Sequence, residues 1–149
     1  MFSHWRIPMR KLFYAIGAAI CLAASNVASA AVCYNMNIYN YSGGTVYPGG
    51  SATVHGPFKA PCPYEIAIFK FEDLSGNFPT NTILHTIEMK SGYSWTPVYQ
   101  AVSRSARSHT IRYAVSSPNE YRYRIENIGT STIMNWSMEG RIPTAYIPY

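Results

Sequence analysis

From Glu120 the chain reads EYRYRIENIGTSTIMNWSMEGR as far as Arg141, and its first half alternates without a break. Tyr121, Tyr123 and Ile125 fall on one side of an extended chain, and Arg122, Arg124 and Glu126 on the other. A period of two marks a strand with one buried face. Asn127-Ile128-Gly129-Thr130-Ser131 then supplies turn chemistry, because Asn and Gly accept the positive φ of a tight reversal. Met134, Trp136 and Met138 resume the alternation. The stretch predicts a β-hairpin with an inward Tyr/Trp/Met face.

The same punctuation runs back through the chain. Tyr34, Met36 and Ile38 alternate with polar neighbours and predict a first strand that turns at residues 40–44. A second turn is predicted at Pro48-Gly49-Gly50-Ser51, then a short strand over Ala52–His55. Gly56-Pro57 to Pro63 predicts an irregular, proline-rich connection. Tyr64–Phe71 (YEIAIFKF) carries bulky groups on both faces, which predicts a central strand. Ile83, His85, Ile87 and Met89 share the face of another strand. Pro97 limits Trp95–Val102 to an edge strand or a loop. Thr110–Val115 predicts a further strand, and the tail Ile142–Tyr149 an extended segment.

Beyond residue 31 nothing shows a 3.6-residue period with caps. Short strands between Gly, Pro and Asn turns predict an all-β domain. The expected forms are a single antiparallel β-sandwich, Ig-like or jelly-roll-like, or a small barrel.

The first thirty residues read differently. Arg6, Arg10 and Lys11 precede an apolar run, Leu12–Ala24, and Ala28-Ser29-Ala30 offers a small-x-small cleavage site. This is the pattern of a secretory signal peptide, here of bacterial type, and the apolar core is too short for a membrane span. The expected organisation is a cleaved signal over 1–30 and a β-sandwich domain over 31–149, secreted or periplasmic, with no span in the mature chain. The three signal charges account for most of the formal +5. Without them little supports nucleic acid as a partner.

Cys33 and Cys62 remain in the exported part. An even count in an exported chain points to a disulfide between them.

Candidate chemistry is sparse. His85 and Glu88 have a helical metal spacing, but on a strand they face opposite ways. Asp73-Leu74-Ser75-Gly76-Asn77 holds one acid where a calcium loop needs several. No serine sits in a G-x-S-x-G elbow, and no pair of carboxylates is marked out. The reading is therefore no catalytic residues, no metal and no cofactor. Two weaker signals remain. Arg104, Arg107, His109 and Arg112 form a local basic cluster suited to an anion. Trp95, Tyr99, Tyr113 and Trp136 are candidates for an aromatic binding surface.

Asn127, Gly129, Ile133 and Trp136 in IENIGTSTIMNW resemble the strand–turn–strand of bacterial cellulose-binding modules of family two; the remaining chain does not follow that pattern. The two cysteines and a tyrosine near the C-terminus resemble chaperone-assembled pilins, although Pro148 interrupts the expected pairing strand. The expected function is an exported, non-enzymatic binding module recognising a glycan, a cell-envelope polymer or a protein surface through exposed aromatics. A structural or assembly subunit is the first alternative and a small secreted hydrolase the second.

Overall fold

A computed structural model describes residues 35–62, 65–76 and 80–144, all within the unit Ala31–Tyr149. The expected signal segment, Cys33 and the tail Tyr146–Tyr149 lie outside the described residues.

The alternation seen in the sequence becomes eight strands: β1 (Asn35–Gly43), β2 (Ser51–Lys59), β3 (Glu65–Asp73), β4 (Thr82–Ser91), β5 (Ser94–Arg104), β6 (Ser108–Val115), β7 (Glu120–Asn127) and β8 (Trp136–Thr144). They form two four-stranded sheets, ordered β1-β8-β3-β6 and β2-β7-β4-β5. Every neighbouring pair is antiparallel. The sheets pack face to face: Phe69 meets Tyr123 at 5.2 Å between ring centres, and Phe71 meets His85 at 5.5 Å. The chain crosses between sheets at every connection except β4–β5, which is a tight hairpin around Gly92 at φ 61°. Eight strands so ordered make a jelly roll, one of the sandwich forms expected from the sequence.

Tyr121, Tyr123 and Ile125 do face the core, as their alternation requires. The hairpin they were expected to begin is absent. β7 pairs with β2 and β4, whereas β8 pairs with β1 and β3, so the two strands lie in opposite sheets. Residues 128–135 carry the chain across. The Asn127 side chain holds that crossing, donating to the carbonyls of Val46 (2.9 Å) and Ser131 (2.8 Å).

Three further expectations change. β1 runs through its expected turn, because residues 40–43 pair fully with β8; tertiary pairing overrides local turn preference. β2 continues across Gly56-Pro57, which an edge strand tolerates because it loses no ladder partner. β3 is interior, flanked by β6 and β8, but only its Ala67/Phe69/Phe71 face is buried, and Ile66 on the other face is 50 % exposed. Cys62 is buried and disulfide-bonded.

Candidate functional site

β1 and β2 are edges of different sheets, and a cleft of about 350 Å³ opens where they meet. Tyr39, Tyr41, His55, Phe58, Lys59 and Pro143 are among its lining residues. Tyr39 and Tyr41 reach it because they share the inward face of β1, opposite Gly140 and Met138. His55 reaches it through an irregularity. Ala52 lies opposite Ile125 and Thr53 opposite Arg124, and a register shift then sets His55 opposite Tyr123. The extra residue brings both Val54 and His55 inside, where regular alternation would bury only one.

A second shift follows, before Phe58, and Gly56 carries it at φ 108°. A Cβ at Gly56 would come within 3.0 Å of the Arg122 Cα and the Tyr121 carbonyl oxygen, so glycine meets both the backbone angle and the close approach.

His55 is 6 % exposed, and among the described residues neither ring nitrogen has a hydrogen-bond partner. Tyr39, Tyr41, Phe58 and Phe69 surround the imidazole at ring-centre distances from 4.9 to 5.9 Å. Burial lowers its pKa, so His55 is neutral at neutral pH.

A second histidine group lies deeper. His85 is fully buried, with Nδ1 2.7 Å from the Tyr123 hydroxyl and Nε2 2.8 Å from the Ser103 hydroxyl. Its ring stacks on His109 at 4.6 Å. A serine beside a histidine held by a third group has the outline of a nucleophile and its base. Here burial first, and then the neighbouring His109, lower the His85 pKa to about 3. Such an imidazole is a poor base at neutral pH. The hydroxyl it faces is buried as well, so the group serves as a polar brace in the core.

The expected basic cluster divides. Arg104 ends β5 and is exposed, as is Arg107 in the following connection. The Arg107 side chain lines a cavity of about 190 Å³ with Asp73, Leu74 and Gly76. Glu72 is held below its ordinary pKa, chiefly by the hydrogen bond and charge of Lys70 and more weakly by Arg107. His109 turns inward to His85, whereas Arg112 lies opposite Ile68 and is exposed. Those two side chains cannot grip one anion.

The expected aromatic group also divides. Trp95 lies under the Arg122 guanidinium at 4.5 Å, and Arg122 also binds the buried Glu88. Tyr99 and Tyr113 meet at 5.9 Å where the β5 and β6 edges approach. Trp136 is only 7 % exposed and stacks on Phe71. Sequence reasoning missed Tyr39, Tyr41, His55 and Phe58 as a group. The Gly56-Pro57 interruption beside His55 was the available signal. Among the described residues no group of three His, Cys, Asp or Glu side chains could hold a metal, and no helix is long and apolar enough to cross a membrane.

The fold and its edge cleft define an eight-stranded jelly-roll sandwich. No known protein family matches the chain, and no curated protein matches it. Among solved structures it is similar to the crystal structure of the Yersinia pseudotuberculosis-derived mitogen, with a TM-score of 0.53 and 13 % identity. The likeness covers 77 % of this chain and 100 % of that one, and it is a likeness of fold.

Proposed function

We propose that residues 31–149 are an exported, non-enzymatic binding module whose ligand seats in the β1/β2 cleft. One observation carries this reading: an open cleft at a sheet edge gathers three aromatic side chains around a buried histidine that has no hydrogen-bond partner among the described residues. Binding sites are concave and largely apolar, with few polar groups. The Ala28-Ser29-Ala30 signature and the disulfide at Cys62 support export to the periplasm or the medium. Capture on insoluble cell-envelope material tests the reading. Tyr41→Ala should lower retention about tenfold, the scale of an aromatic anchor. If Arg104→Ala with Arg107→Ala abolishes retention and Tyr41→Ala does not, the arginine loop is the site instead.

A second reading, an assembly subunit, has its own observation. β1 is an edge of nine residues with no charge, proline or register shift, and Met36 and Ile38 are exposed on it. The β5 edge, by contrast, carries Pro97 and an irregularity, and β2 carries two shifts. Unprotected edges invite pairing with another chain. Size-exclusion chromatography should then show oligomers that Ile38→Lys dissociates; a wild-type monomer throughout would exclude this reading. A hydrolase has less support, since Ser103 and His85 are buried and Glu88 is engaged by Arg122.

A further inference from the structure

Building on the binding-module reading, we infer that the β1/β2 cleft takes one uncharged polyhydroxylated ring, a neutral sugar residue, with His55 as its hydrogen-bonding anchor. A buried polar group without a partner forfeits its hydration with nothing in return. His55 presents two such atoms in a cluster of rings that phenylalanine would fill without that cost. A neutral imidazole offers one donor and one acceptor. A sugar hydroxyl both donates and accepts, so it satisfies either nitrogen.

The rest of the lining selects against other ligands. Among the described lining residues Lys59 is the single formal charge, with no arginine fork for a carboxylate or phosphate and no carboxylate for a cation. His55 alone among the described lining residues is a ready metal ligand. What remains is flat aromatic surface from Tyr39, Tyr41 and Phe58, suited to the C–H face of a sugar ring. The cleft lies at the small end of the usual range for ligand sites, which fits one ring. Tyr41 is the cover. It is half-exposed, with its ring 5.2 Å from the imidazole, and its rotation toward solvent would bring a ligand hydroxyl to His55.

The test is titration of the purified protein with methyl glycosides of neutral hexoses and neutral oligosaccharides, against the matching uronic acids. Calorimetry and aromatic NMR signals supply the readout. Neutral sugars should bind and shift the Tyr39, Tyr41 and Phe58 resonances. His55→Phe should weaken binding about tenfold or more, with no fall in melting temperature. His55→Gln, which keeps a donor and an acceptor, should stay within about threefold of wild type. Three results would each overturn the inference: no response to any neutral sugar, wild-type affinity in His55→Phe, or stronger binding of uronic acids that Lys59→Ala abolishes. If Tyr41-dependent capture of envelope material persists in any of these cases, the binding-module reading stands and only the ligand class is wrong.

Discussion

His85 and His55 are one residue type placed in two different situations. His85 has both nitrogens engaged, by Tyr123 and Ser103, and braces the core; His55 has neither engaged among the described residues and borders a cleft. Both have lowered pKa values caused chiefly by burial. The consequence for stability has a definite sign. At pH 7 and above, His85 is neutral whether the chain is folded or not. Below its ordinary value of 6.5 the unfolded chain takes a proton that the folded chain refuses until about pH 3. Stability is therefore lost as pH falls through that window, by about 1.4 kcal/mol per pH unit for this one group. Between pH 7.5 and 4.5, urea denaturation should show a loss of stability to which His85 contributes roughly 3 kcal/mol, so that His85→Gln is less acid-sensitive than wild type by about that amount. Equal acid sensitivity in the variant would refute the assignment. The sequence revealed that His85 shares a face with Ile83 and Ile87. Its Ser103 partner, in another strand, required the β4–β5 register.

Strands were legible wherever alternation was uninterrupted, as in β4, β6 and β7. Connections were not. The Asn and Gly that close a tight hairpin also serve a crossing between sheets, so residues 127–131 could not say whether β7 and β8 would pair. Bulges were equally hidden: one extra residue in β2 turns His55 inward, and no local propensity records which residue is extra. The β1–β8 pairing shows how a distant contact fixes a local choice. Gly43 lies opposite Trp136, and a Cβ there would run into the indole. Gly43→Ala should therefore cost about 1–3 kcal/mol through forced movement of Trp136. Thermal unfolding with tryptophan fluorescence checks this, and a variant as stable as wild type would mean that the strand end simply moves aside.

At the scale of the whole molecule, the jelly roll leaves two places where sheet edges approach each other. At one, β5 and β6 bring Tyr99 and Tyr113 together. At the other, β1 and β2 leave the cleft open. The all-β class followed from period and punctuation alone. The cleft did not, because Tyr39 and Tyr41 are far in sequence from His55 and Phe58 in contact terms, and meet only when two sheets stack. The direct measurement is an aromatic NMR spectrum of the purified protein as a soluble cell-envelope glycan fraction is added. The expected result is movement concentrated at Tyr39, Tyr41, His55 and Phe58, with Trp95, Tyr99 and Tyr113 unmoved. Movement centred on Trp95 or the Tyr99/Tyr113 pair, or none anywhere, would contradict the assignment of the β1/β2 cleft as the binding site.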